Sequence, residues 1–597
     1  MTDATSEDAP TNDKEKDAVT NPENPSSTPE FPWLDTVDDN VDWHQTFEPK
    51  PLYELLDGAV GRFPANVCTN FLGKTQTYSE IATAVQHTAA GLEKLGVSKG
   101  TRVGLFFPNC PSHVIYYFAI LKLGATVVNF NPLYSIEELE TQIEDSGTEI
   151  MATLNLAVLF DKVEALLKKG TLNQAIVCDF TKLLPPVKSS LFKVAKRKNL
   201  ANIKASPVRD NVVLDRTVVN NNGHFTAVDI DPSEDVAVLQ YTGGTTGTPK
   251  GAMLTHANLY INMHQISAWA PELEDGKQSV LAILPFFHVF GMTVVMNFAV
   301  GRASEIVLIP KFELEDALKT ITKTKPTCMP GVPTLYNAII NHGNLDKYEL
   351  SSLQFCFSGG APLPMSTKNK FEQLTHCKLI EGYGLSECSP VVTGNPLAGP
   401  LKNQSIGLPM PGTMISLRDL EDPTKEVELG ARGEVCVYGP QVMKGYWNRP
   451  EETNNAFVDG YLRTGDVATM DAQGFTYIVD RIKDIILCSG FNVYPRQIED
   501  AIYQHSAVDE VTVVAVKDDY RGEAPKAFVK LLDGEDLNEE ELLNFLKVKL
   551  SKIEMPREIE FRAELPKTLV GKLSKKELRQ EEDQDEANVG NSGSGDA

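Results

Sequence analysis

The sequence predicts an α/β protein built in several layers, and three observations lead there. Helix-spaced and strand-like apolar runs alternate between residues 52 and 130. The chain has 597 residues, room for several domains at about 100–200 residues each. Its composition, 42% hydrophobic and 23% charged, is that of a globular protein with a large core.

In order, residues 52–62 carry helical spacing. Tyr78-Ser79-Glu80, followed by residues 81–95, reads as a capped amphipathic helix. Val103-Gly104-Leu105-Phe106-Phe107 reads as a strand, residues 111–123 as a helix, and Ala125-Thr126-Val127-Val128-Asn129-Phe130 as the next strand. Apolar stretches near 113–132 and 288–300 are interrupted, at Lys122 and Asn297 for example. Neither offers the roughly 18 apolar residues of a spanning helix, so both are read as buried core. Little chemistry is expected before about residue 235.

The net charge is −25 and the pI about 4.9, which argues against nucleic acid as a partner. Acidic, Pro/Ser/Thr-rich residues at the start and an acidic, Gly/Ser-rich segment at 581–597 read as disordered tails, the first taken as 1–40. The nine cysteines form no CxxC pair, which suits reduced thiols in a cytoplasm. The N-terminus lacks the basic-then-apolar pattern of a secretory leader, so a cytoplasmic location is expected.

Residues 182–209 run against the acidic background. Lys182, Lys188, Lys193, Lys196, Arg197, Lys198, Lys204 and Arg209 are interleaved with Leu183, Leu184, Val187, Leu191, Phe192 and Val194. Such a segment suits peripheral contact with an anionic membrane on its inner face; basic amphipathic segments are, however, often only solvated helices with an apolar underside.

The most informative run is Gln240-Tyr241-Thr242-Gly243-Gly244-Thr245-Thr246-Gly247-Thr248-Pro249-Lys250-Gly251, after the strand-like Val236-Ala237-Val238-Leu239. Glycines let successive N–H groups converge on an anion, threonines add hydroxyls and Lys250 a cation. The set suits a polyphosphate, although a Gly/Thr surface loop has the same composition. It is not a Walker loop, because Thr248-Pro249 separates Gly247 from Lys250.

From Tyr241 to Gly251 the run resembles the phosphate loop of the adenylate-forming (acyl-CoA synthetase) superfamily. Further motifs follow in that family's order over roughly residues 45–580. The resemblance implies a large multi-layered N-terminal adenylating domain (41–482) and a small mobile α+β C-terminal lid domain (483–580). Pro285-Phe286-Phe287-His288-Val289-Phe290-Gly291-Met292 resembles the family's acyl-pocket motif. There His288 would line the site, Gly291 would leave room for a chain, and Met292 would border it. Ser358-Gly359-Gly360-Ala361-Pro362 resembles its adenine-binding turn.

Glu381-Gly382-Tyr383-Gly384-Leu385-Ser386-Glu387 resembles its Tyr-Gly-x-Ser/Thr-Glu motif. Tyr383 would face adenine, and Glu387 would hold Mg2+ with Thr242. Asp466 of Thr464-Gly465-Asp466 would take the ribose, Arg481 ribose or phosphate, and Lys483 would be the interdomain hinge. Ser489, Gly490 and Phe491 would serve coenzyme A. Pro566-Lys567-Thr568-Leu569-Val570-Gly571-Lys572 resembles the family's C-terminal motif, with Lys572 neutralising charge in the transition state. Lys250 is then a phosphate-steering charge.

The resemblance is closest to bacterial long-chain fatty-acid–CoA ligases. It implies a ligase that uses ATP, Mg2+ and coenzyme A on a fatty acid, with a homodimer among the assemblies it allows. A fatty-acyl-AMP ligase loading a carrier protein, a CoA ligase for another carboxylic acid, and a binding protein that senses acyl chains remain as alternatives. Two departures stand out: Ile553 and Glu554 replace an aromatic and a cation, and Ser574 interrupts a usually basic run.

Overall fold

Residues 31–242, 249–518, 520–568 and 571–592 are described by the computed structural model. Gly243, Gly244, Thr245, Thr246 and Gly247 of the expected phosphate loop lie outside the described residues.

The alternation expected at the start is present. Thr77 caps the helix Tyr78–Lys94: its hydroxyl accepts from the Glu80 N–H, and Glu80 returns a bond to the Thr77 N–H. Strand Arg102–Phe106, helix Pro111–Lys122 and strand Thr126–Asn129 follow. The helix is buried at Val114 and from Tyr116 to Leu121, which explains why its sequence is apolar all round.

Three sheets build the large domain. An eight-stranded sheet takes strands 102–106, 126–129, 150–154 and 174–178 in parallel, with the hairpin 236–242/250–255 at one side. A nine-stranded sheet is parallel through strands 279–282, 328–331, 355–358 and 378–384. The third sheet, antiparallel, spans residues 414–481. A separate small sheet, residues 486–561, has its own core around Ile486, Val493, Ile498, Val513 and Leu542. The architecture is therefore α/β, a large N-terminal and a smaller C-terminal domain.

Part of each expected tail is folded. Phe31 stacks on Trp33 and Trp43 packs against both rings at a tilt, with Trp33 fully buried, so residues 31–40 belong to the large domain. Three aromatic rings outweigh the surrounding acidic residues. At the other end the helix Lys575–Ser592 runs into the expected tail. Glu581 pairs with Arg562 and Glu582 with Lys526 there, so part of the acidic charge is matched.

Candidate active site

Parallel strands of the nine-stranded sheet end at one cleft of about 1510 Å³. Beyond Ser279–Ala282 lie Phe287 and His288; beyond Cys328–Gly331 lie Val332 and Thr334. Phe355–Ser358 leads into Gly359, Gly360, Ala361 and Pro362, and Lys378–Gly384 carries Gly382, Tyr383 and Gly384. Open parallel sheets bind ligands beyond their carboxyl ends for this reason: several strands deliver loops to one place.

The antiparallel sheet adds Asp466 and Arg481, which are cross-strand partners. Arg481 Nε donates to Asp466 Oδ1 at 2.9 Å, and the Tyr383 hydroxyl donates to Asp466 Oδ2 at 2.6 Å. Burial and this carboxylate push the Tyr383 phenol well up, so it stays a donor.

The small domain contributes Lys572. Its loop is held by the Thr334 hydroxyl, which donates to the Gly571 carbonyl at 2.6 Å, and by the Lys572 N–H, which donates to Thr568 Oγ1 at 3.1 Å. The lysine stem crosses Gly360, where a Cβ would lie 2.5 Å from Lys572 Cε. Gly360 also has φ +81°, so glycine is required there twice over. Burial, then the nearby Arg481 guanidinium, lowers the Lys572 amine to about 8 against the pull of Asp466.

His288 lines the cleft. Its Nδ1 accepts the Phe290 N–H at 3.2 Å, and burial with the Lys572 charge lowers its pKa to about 3. The ring is neutral at physiological pH, with its proton on Nε2.

Gly291 and Met292, expected beside His288 at the acyl pocket, do not line this cleft. A Cβ on Gly291 would fall 2.2 Å from the Pro285 carbonyl oxygen, so the chain's own turn requires glycine there. Met292 is fully buried, and Asn129 Nδ2 donates to its sulfur at 3.3 Å; it packs behind the cleft wall.

Ser386 and Glu387 share a single turn, Ser386–Cys388. Glu387 Oε1 accepts from the Tyr446 hydroxyl at 2.8 Å, and Lys250 Nζ sits 5.2 Å above the Tyr446 ring. Thr242 pairs in register with Lys250. One hard carboxylate with a hydroxyl at the end of a strand fits Mg2+, which takes a few protein oxygens and completes its shell with phosphate and water.

Lys483 lies in the turn Ile482–Asp484 and lines the cleft; burial lowers its pKa. Ser489, Gly490 and Phe491 are not brought there. They form the hairpin turn between Ile486–Cys488 and Phe491–Val493, and Phe491 is 60% exposed. The two departures have structural roles. Ile553 packs on the small core, Glu554 accepts the Ser551 N–H at 2.8 Å, and buried Ser574 donates its N–H to the Pro566 carbonyl.

The helix Pro333–Ile340, whose Thr334 and Asn337 face the small domain, lies outside the motifs named above. The signal was present: Gly331-Val332-Pro333-Thr334 after an apolar run reads as a strand turning into a helix with proline in its first turn.

With this geometry in view, the relatives are informative. Residues 56–447 match the family described as AMP-binding enzyme, and residues 497–572 match the AMP-binding enzyme C-terminal domain. The chain belongs to the AMP-binding enzyme family. A long-chain-fatty-acid–CoA ligase of Bacillus subtilis is 42% identical over 92% of this chain and 98% of its own. One from Yersinia pestis is 40% identical over 89% and 94%. A probable 4-coumarate–CoA ligase of Dictyostelium discoideum is 32% identical over 84% and 89%. ATP-bound MatB of Rhodopseudomonas palustris superposes with a TM-score of 0.77 at 26% identity, over 89% of this chain and 99% of that one.

Proposed function

We propose that the chain joins a long-chain fatty acid to coenzyme A in two steps. In the first, a carboxylate oxygen of the acid attacks the α-phosphorus of ATP. The bond to the β-phosphate oxygen breaks, pyrophosphate leaves, and acyl-AMP remains. In the second, the thiol sulfur attacks the acyl carbonyl, AMP leaves, and the thiol proton passes to solvent. Positioning and charge neutralisation carry most of such chemistry.

The observation that carries this reading is the Lys572 amine, held over the Gly359-Gly360 turn beside Asp466 and Arg481. Asp466 would accept the ribose hydroxyls, Arg481 would meet ribose or phosphate, and Gly359, Gly360, Ala361 and Pro362 would lie against adenine with Tyr383. Lys572 would pair with the carboxylate and the α-phosphate as charge builds. His288 would donate from Nε2 to the acid. Mg2+, when bound, neutralises phosphate charge; Glu387 and Thr242 would hold it. The 240–251 loop would hold the leaving pyrophosphate. The assignment of a long acyl chain follows the long-chain ligases at about 40% identity.

A CoA-dependent AMP-release assay over straight-chain acids of increasing length, with one aryl acid, tests this reading. Turnover of the aryl acid alone would remove the fatty-acid assignment.

We further propose peripheral contact with anionic membrane through 182–209. In the helix Pro186–Ala195, Phe192 turns inward onto Phe180, while Val187, Leu191 and Val194 are 72%, 62% and 84% exposed. An apolar stripe facing out among cations supports lipid contact over a simple solvated helix.

A further inference from the structure

One helix of the large domain grips the small domain at two places. Pro333–Ile340 and its C-terminal cap Asn341 present Thr334, Asn337 and Asn341 on one face, the spacing at which side chains stack along a helix. Thr334 holds the Gly571 carbonyl, next to Lys572. Asn337 Nδ2 donates to Asp509 Oδ1 at 2.6 Å, and Asn341 Nδ2 donates to the same oxygen at 3.1 Å. The other Asp509 oxygen meets Lys530 Nζ at 2.9 Å. Asp509 is thus a nearly buried carboxylate whose ligands come from both domains, its side chain 11% exposed.

We infer that Asn337, Asn341 and Asp509 form a docking latch that positions Lys572 for adenylation and is released for thioester formation. The inference rests on the two-step reaction proposed above. Asn337 precedes and Asp509 follows Lys483 in the chain, so rotation of the small domain about a hinge at Lys483 would separate them. The present orientation places Lys572 in the cleft and leaves the Ser489-Gly490-Phe491 turn out of it. A second orientation is required if that turn is to reach the thiol, and it cannot keep these hydrogen bonds. A carboxylate that gains two interdomain hydrogen bonds in one orientation only, while keeping Lys530 in both, biases the population of that orientation. The three residues are positioning residues; none meets the reacting atoms.

The test separates the two half-reactions. Asn337→Ala with Asn341→Ala leaves the small domain's own contacts intact, and Asp509→Ala removes the other partner. Each variant should lower CoA-independent pyrophosphate release by about tenfold or more, the loss expected for hydrogen bonds to a charged group. Thioester formation from supplied acyl-AMP and coenzyme A should be little changed. Combining both sets should cost no more than either alone, because they break one interaction. Equal loss in both half-reactions, no loss in either, or multiplicative losses in the combined variant would overturn the latch. If the unsubstituted enzyme releases no pyrophosphate with any acid, the two-step reading falls first, a result distinct from failure of the latch.

Discussion

Lys572 is one cation among 56 lysines and arginines, and its surroundings distinguish it. Its amine is lowered to about 8, so it is protonated below that pH and loses its charge as pH rises through it. With ATP and acid as substrates, kcat/KM for pyrophosphate release reports the free enzyme. It should be flat below pH 8 and fall above it. Bound triphosphate favours the protonated amine, so the corresponding limb in kcat should lie at higher pH. His288, lowered to about 3, adds no limb near neutrality. A profile that rises above pH 8 would contradict a role for charged Lys572. Lys572→Ala should cost about 10²–10³-fold in adenylation, the scale of removing one preorganised electrostatic group. Thioester formation from supplied acyl-AMP should survive; equal loss in both would remove the proposed role. These residues were legible because short motifs fix residue type and order together. What Gly291 does for the chain itself was not legible: a glycine beside a ligand and a glycine against its own backbone look alike in sequence, and the 2.2 Å approach to the Pro285 carbonyl is seen only in the fold.

Among the elements, the capped helix Tyr78–Lys94 and strand Arg102–Phe106 were legible because period and capping are local properties. The helix Pro333–Ile340 was not singled out, because its importance lies in a contact with Asp509, 172 positions away from Asn337. The direction in which Pro186–Ala195 faces was also hidden: Leu191 and Phe192 are both apolar neighbours, and only packing against Phe180 decides which turns in. The hairpin turn at Ser489-Gly490-Phe491 has positive φ at Ser489 and Gly490, +52° and +80°, so it presents Phe491 outward on a tight support. Phe491→Ala removes an exposed ring that touches little now, so adenylation should hold while thioester formation slows. Loss of adenylation with thioester formation intact would place the turn on the wrong half-reaction.

Across the whole molecule, charge is unevenly spread. The chain carries a net −25, yet residues 182–209 hold eight lysines and arginines without an aspartate or glutamate. No helix among the described residues is long and apolar enough to cross a membrane. Lipid contact would therefore come from this surface segment, where exposed Val187, Leu191 and Val194 are surrounded by cations. Two contributions then act together: insertion of aliphatic side chains, and attraction worth about 1 kcal/mol per basic residue near an anionic surface. The acidic remainder of the molecule opposes close approach in any other orientation. Binding should thus favour phosphatidylglycerol vesicles over phosphatidylcholine in a sedimentation assay. It should weaken as salt shortens the screening length from about 10 Å at 0.1 M toward about 3 Å at 1 M. Substituting Val187→Asp, Leu191→Asp and Val194→Asp together should abolish sedimentation with vesicles while leaving turnover of a soluble acid unchanged, since these exposed side chains support no core. Equal binding to neutral vesicles, or a triple variant that still sediments with anionic ones, would show that the helix only meets water.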